Sequence, residues 1–451
     1  MTFDLVVRGG TVVTAGGRKR ADVYVRNGLV AAVLEPGQAE AADVVVEADG
    51  RYVLPGMVDT HVHLMEPGDP TREDFPTGTR AAVRQGVTTI VEHTHSWPLT
   101  NTGRFEEKWH HIRGRSFVDY AFAAHVFPDH VGNIRRLWEA GVVFFKIFTC
   151  ATHGIPAVTP EILLEVFQEL SGLGAPCLVH CEDDLMTARN ERRLKAEGRV
   201  DPGIVPEWRS REAELVAVGS AALLAKVTGA RATVAHASSA DVVDLIQRER
   251  AAGSPIAAET CPQYLYLFES EIHQHGPFRK FTPPARIRSA EEQDRMWTAF
   301  NNGWVNHLST DHAPSTVAQK MEGSIWECHF GLPGLDTTMP LMIDAALSGR
   351  TSLERLVEAY AERPAERYGL RGKGRIAVGF DADLVVVDPS AKWQIHNDHV
   401  VSRAGWTPYA GRDVRGRVEE VLLRGRVVED GAPTRGRFIP GPGSEPRTSF
   451  P

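Results

Sequence analysis

The chain has 451 residues, 42% hydrophobic and 24% charged, with a formal net charge of −8. This is the balance of a water-soluble chain long enough to bury a large core. Mild acidity without a Lys/Arg-rich run excludes nucleic acid as the main partner, and no apolar run approaches the ~18 residues of a membrane span.

The opening text, MTFDLVVRGGTVVT, has no basic segment followed by an apolar one, so it does not read as a secretion signal. The first ~55 residues read as short valine-rich strands bounded by glycine or charge, FDLVVRGGTVVT, ADVYVRNGLVAAVL and ADVVVEADGRYVL. Similar text returns near the C-terminus as GRIAVGFDADLVVVDP and VEEVLLRGRVVEDG. Between them, short apolar runs alternate with helical patterns such as EILLEVFQELSGLG, which implies βαβ units and a parallel sheet.

Eight strands are expected in that middle region: MVDTHVHL, TTIVEHTH, YAFAAHVF, VVFFKIFT, PCLVHCE, ATVAHAS, IAAETCPQYL and VNHLSTDHA. Eight βα units predict an α/β fold, a (β/α)8 TIM barrel. The expected organisation is 1–55 as the N-terminal part of a small β-sandwich, 56–370 as the barrel, 371–430 as the C-terminal part of the sandwich, and 431–451 as an extended tail, loose or laid on a neighbour. The five cysteines, Cys150, Cys177, Cys181, Cys261 and Cys328, form an odd, sparse set without CxxC spacing. That fits a reducing cytoplasm and argues against a disulfide framework or a thiolate zinc site.

Several expected strands end in metal-type side chains. The first ends in His61 and His63, the fourth in Lys146, the fifth in His180, the sixth in His236 and the eighth in Asp311. Residues i and i+2 of a strand point to one side, ~6.6 Å apart, and all barrel strands open their C-terminal ends onto one face. A lone HxH is more often a half-buried pair than a site. Four histidines and an aspartate at corresponding strand ends are hard to obtain from packing, and they point to a metal centre. Lys146, inside the aromatic run VVFFKIF, has a bland reading as a lysine with a buried stem. Its sharper reading is an amine whose pKa is lowered by desolvation, able to add carbon dioxide and become an anionic carbamate.

The texts LPGMVDTHVHLMEPG, DFPTGTRAAVRQGVTTIVE, FFKIF, VHCED, VAHASS, ETCPQYLYL, STDHAPS and GLPGLDTTMPLM resemble, in order, the amidohydrolase superfamily and its cyclic amidohydrolases: hydantoinase/dihydropyrimidinase, allantoinase and dihydroorotase. The resemblance implies a barrel with a sandwich made from both termini, and a homo-oligomer, tetramer or dimer. It implies two divalent ions, zinc foremost with Mn, Co or Fe as alternatives. His61, His63 and Asp311 would hold one, His180 and His236 the other, and N6-carboxylated Lys146 would bridge them. The implied reaction opens the ring of a small cyclic amide or ureide by attack of metal-bound hydroxide on a ring carbonyl, with Asp311 moving the proton. Substrate contacts carry over to Thr282 and Phe330.

Some positions depart from the family text. Dihydroorotases carry an arginine where this chain has Met65, and a thioether cannot pair with a carboxylate, so that activity is disfavoured. The tyrosine that hydantoinases carry after the bridging lysine falls near Ala151, with His153 as a possible replacement. His93 and His95 end the second strand where the family has no ligand and are expected as pocket lining, with Trp97 as an apolar wall. His125 reads as structural, and Glu182, Asp183 and Asp184 as a solvated acidic turn, with support of the metal ligands from behind as the alternative. The leading function is hydantoinase/dihydropyrimidinase-type hydrolysis, with allantoinase as the alternative. Further rivals are dihydroorotase, a mononuclear deaminase lacking the bridging lysine, and a non-catalytic scaffold related to dihydropyrimidinase.

Overall fold

The computed structural model describes residues 2–38, 41–429, 431 and 433–444. Eight parallel strands run in chain order: Met57–Val62, Val87–Glu92, Asp119–Phe122 continued by Ala124–His125, Phe145–Phe148, Cys177–His180, Ala232–Val234, Ala257–Thr260 and His307–Leu308. The last closes on the first through a bridge between Val62 and His312, where the His63 amide donates to the His312 carbonyl at 2.8 Å. The eight strands therefore form one (β/α)8 barrel. Their residues are buried on both faces, because helices cover the outside, so these strands read as continuous apolar runs rather than alternation.

The helices start and stop where the local chemistry allows. Asp74, Ser210, Ser239 and Ser289 cap helices Phe75–Arg84, Arg211–Thr228, Ala240–Ala251 and Ala290–Asn301 by accepting from a backbone amide of the first turn. Helix Pro160–Leu173 begins on a proline and ends at left-handed Gly174.

Two further sheets pack face to face beside the barrel. One orders Leu29–Leu34, Asp22–Arg26, Phe3–Arg8 and Ala42–Glu47; the other orders Arg426–Val427, Asp413–Leu423, Leu384–Gln394, Tyr52–Pro55, Thr11–Thr14 and Gly17–Arg20. Leu5, Val7, Val23, Val53, Leu384 and Leu422 fill the space between them. Both chain termini thus build one sandwich. Gly56 carries the chain from its strand Tyr52–Pro55 into the barrel, and a Cβ there would lie 2.1 Å from the Thr88 hydroxyl.

Two strands are shorter than their sequence pattern. The seventh stops at Thr260, because Pro262 cannot donate to a ladder and the chain turns into the short helix Gln263–Tyr266. The eighth is only His307–Leu308, which leaves Asp311 just beyond its end. The described part of the tail is not loose. Gly436, Ile439 and Gly441 donate to Ser116, Tyr120 and Gly141 at 2.7–2.9 Å, laying the tail along the third and fourth barrel units of its own chain. Residues 432 and 445–451 of the expected tail lie outside the described residues. Among the described residues, no helix is long and apolar enough to cross a membrane.

Candidate metal centre

The C-terminal ends of the barrel strands meet at one narrow cleft. It is lined by His61, His63, Lys146, His180, His236 and Asp311, together with His95, Phe148, His153, Thr282, Ala313, Phe330 and Gly331. The structure brings all six residues expected to hold metal to that cleft. The Asp311 carboxylate lies 3.2 Å from His61 Nε2 and 3.4 Å from His63 Nε2. Lys146 Nζ lies 3.1 Å from His61 Nε2. Across the cleft, His180 Nδ1 faces His236 Nε2 at 3.0 Å.

Each imidazole is held by its other nitrogen or by its backbone. His61 Nδ1 meets Glu259 Oε1 at 2.6 Å, and His63 Nδ1 meets the His93 carbonyl at 2.8 Å. His180 Nε2 meets Glu182 Oε2 at 2.8 Å. The His236 amide donates to Glu259, whose second oxygen meets His307 Nε2 at 3.2 Å. Such outer partners fix ring orientation and tautomer, leaving the inward nitrogen as a lone pair. His236 and Asp311 both sit in the left-handed backbone region, with φ of 38° and 49°. Non-glycine residues hold that conformation only where the surroundings enforce it, and such positions cluster at functional sites.

Electrostatics point the same way. Burial pushes the imidazoles of His61, His63 and His236 well below their ordinary value, and that of His180 below it. Burial lowers the Lys146 amine to about 8 and raises the Asp311 carboxyl to about 7. Among the described residues, no carboxylate comes within ion-pair distance of Lys146; its amine sits over the Phe148 ring. Neutral imidazoles, a carboxylate and an amine easily deprotonated are donors that suit a divalent ion. The donor atoms of His61, His236 and Asp311 lie within 4.8 Å of one another. The His236 Nδ1, buried, has no hydrogen-bond partner among the described residues.

The tentative substrate contacts divide. Thr282, Phe330 and His153 line the cleft. Met65 and Trp97, expected beside the substrate, do not belong to that lining. Met65 is fully buried with its sulfur 3.5 Å from the Thr94 hydroxyl, and Trp97 packs under the Arg104 guanidinium. The turn after His180 is also not the solvated loop its acidity implies. Glu182 is fully buried and accepts from His180, from the Thr282 hydroxyl at 2.7 Å and from Arg209 at 3.3 Å. Burial works to raise its pKa, but Arg209 and these hydrogen bonds outweigh it and hold it at about 2. Asp183 and Asp184 do belong to the surface, capping the next helix and accepting from the Ala151 amide. Sequence reasoning also missed Glu259, His307 and Arg209. Glu259 precedes the cysteine of ETCPQYLYL, and only the strand register turns it toward His61 and His307.

Residues 52–428 match a family described as the amidohydrolase family. An allantoinase from Escherichia coli O139:H28 is 35% identical, over 97% of this chain and 99% of its own length. The L-hydantoinase (dihydropyrimidinase) from Arthrobacter aurescens superposes with a TM-score of 0.90 at 32% identity, over 98% of this chain and 99% of that one. The D-hydantoinase (dihydropyrimidinase) from Thermus sp. gives a TM-score of 0.89 at 26% identity, over 97% and 99%. Members of this family use divalent metal ions, which the donor set fits. The chain belongs to the amidohydrolase family, within its cyclic-amidohydrolase group.

Proposed function

We propose that this protein is a metal-dependent hydrolase that opens the ring of a cyclic amide or ureide, of the hydantoin or dihydropyrimidine type. The observation that carries the reading is the gathering of His61, His63, Lys146, His180, His236 and Asp311 at one barrel mouth. His61, His63 and Asp311 would hold one divalent ion, His180 and His236 a second, and Lys146 as its carbamate would serve both. Imidazole with carboxylate oxygen suits zinc first, and Mn, Co or Fe next. At neutral pH, an amine lowered to about 8 is deprotonated in useful proportion. Its nitrogen bonds to the carbon of carbon dioxide and releases one proton, leaving an anion with two oxygens.

Two such ions, when bound, would supply Lewis acidity for the carbonyl and would acidify the attacking water. The remaining work falls to the chain. Asp311, at the mouth of the barrel beside His61 and His63, would accept the proton of the attacking water and pass it to the ring nitrogen as the C–N bond breaks. The products are a carboxylate and a carbamoyl-type nitrogen on one open chain. Thr282 and Phe330 hold the ring from the cleft wall. Five buried, unpaired cysteines suit a reducing cytoplasm. A homo-oligomer would cover the exposed row Val216, Leu223 and Val227 on helix Arg211–Thr228.

A second reading, allantoin as the ring, is favoured by the Escherichia coli relatives at 35% identity across nearly the whole chain. Ring opening measured on hydantoin, dihydrouracil, allantoin and bulkier cyclic imides, with a chelator as control, separates the two. Chelator-sensitive opening of hydantoin or dihydrouracil is expected. Opening of allantoin alone would move the assignment to the second reading, and no opening of any ring would refute both.

A further inference from the structure

Phe330 lines the cleft from a stretch that has neither helix nor strand to hold it. Residues 322–331 run as turns and irregular backbone between helix Val317–Met321 and the bridge at Leu332. Glu322, Gly323, Glu327 and His329 are exposed, and Phe330 is half-buried. Irregular surface backbone is usually mobile, which suits a binding wall poorly unless something pins it.

Two buried lysines pin this one. Lys320 Nζ donates to the His329 carbonyl at 2.8 Å and to the Lys280 carbonyl at 3.1 Å. Lys280 Nζ donates to the Cys328 carbonyl at 2.5 Å and to the Trp326 carbonyl at 3.2 Å, and it lies 4.4 Å from the centre of the Phe330 ring. The Lys280 carbonyl also accepts from the Gly331 amide at 3.0 Å. Three carbonyls and one amide of the stretch are thus tied to one point, two residues before Thr282 on the same cleft. Among the described residues, both ammoniums are answered by carbonyls and neither by a carboxylate at ion-pair distance. A buried cation without a counter-charge is costly. What it adds is three donors on one atom, enough to fix several carbonyls at once.

We propose that Lys280 and Lys320 are positioning residues for the substrate ring: between them they fix the Phe330 wall against Thr282 and so set the width of the cleft. The inference rests on the cyclic-amide reading and assigns to that site two residues that touch neither ring nor metal. A wall that packs on the ring equally in the ground state and the transition state contributes uniform binding. Loosening it therefore raises KM and leaves kcat.

The test uses the zinc-reconstituted protein and whichever of hydantoin, dihydrouracil and allantoin the wild type opens fastest. Lys320→Met keeps the stem and removes the donors. It should raise KM at least about tenfold, leave kcat within about twofold and leave the zinc count unchanged. Lys280→Met should do the same, and Lys320→Arg, which keeps charged N–H donors, should recover most of the wild-type KM. Hydrogen exchange gives a readout that needs no variant and no turnover. In the wild type, the Gly331 amide should exchange far more slowly than those of Glu322 and Gly323. Should neither Met variant fold, that exchange decides. Unchanged KM in the Met variants, a fall in kcat at constant KM, a loss of zinc, or a Gly331 amide exchanging as fast as that of Glu322 would overturn the positioning role while leaving the hydrolase reading standing. A wild type that opens none of the rings would end both.

Discussion

Glu182 shows what one buried carboxylate does at this site. It accepts from His180 on one side and from Thr282 on the other, with Arg209 as its counter-charge. It therefore ties a ring proposed to hold metal to the Thr282 wall of the same cleft. Removing such a partner typically costs 10–100-fold in metal affinity or activity. Glu182→Ala should weaken metal binding by about that factor and also raise KM, since Thr282 loses its anchor; metal titration and steady-state kinetics measure the two separately. Unchanged metal affinity would contradict the role. In the text VHCEDD nothing distinguishes Glu182 from Asp183 and Asp184, two of which are surface groups; only the fold decides which carboxylate turns inward. The imidazoles were legible because HxH and the later histidines fall at strand ends, where the barrel itself points them together.

A second buried carboxylate predicts pH dependence. Burial raises Glu214 from 4.5 to about 7, although Arg286 and the Ser238 hydroxyl and amide partly oppose this. Its folded pKa exceeds the unfolded one, so its contribution is fully present below about pH 4.5 and is lost as pH rises through about 7. The loss is about 3 kcal/mol at most. Glu214→Gln should flatten that part of the stability profile measured by denaturant unfolding across pH 4.5–7.5. A profile identical to wild type would contradict the assignment.

At the level of elements, the barrel strands were readable because parallel strands buried on both faces appear as valine-rich runs between helical patterns. Their ends were less readable. Pro262 and the short pairing at His307–Leu308 stop two strands early, a matter of ladder hydrogen bonds rather than hydrophobicity. The left-handed backbone at His236 and Asp311 has no sequence signal either, since neither residue is a glycine.

The tail is the element whose fate composition alone left open. A Cβ on Gly441 would lie 2.0 Å from the Val142 carbonyl, and one on Gly436 would lie 1.9 Å from that of Val118. Only glycine lets the tail run this close. Gly441→Val should lift the tail from the barrel, lowering the melting temperature by several degrees, with faster hydrogen exchange at the Ile439 and Gly441 amides. Unchanged exchange there would show that the close approach is not needed.

Across the whole molecule, both ends of the chain converge on one sandwich, and Lys373 ties them to the barrel. Its amine lies 2.6–2.8 Å from Asp119, Asp381 and Asp383, and Arg424 also reaches Asp119. The repeated valine-rich text at the two ends foretold the sandwich; the ion network under it could not be foretold, because Asp119 lies 254 positions from Lys373 and 305 from Arg424. The barrel in turn brings together side chains from strands far apart in sequence, and the cleft chemistry depends on that closure between Val62 and His312.

The claim on which this account rests is that Lys146, carboxylated, holds two ions in common. It is tested most directly by counting metal in the wild-type protein and in Lys146→Ala, after reconstituting the metal-free protein with zinc in bicarbonate and in carbon-dioxide-free buffer. Two ions per wild-type chain are expected only when bicarbonate is present, with loss of at least one ion in Lys146→Ala under either condition. Two ions bound by Lys146→Ala, or full loading of the wild type without carbon dioxide, would contradict it.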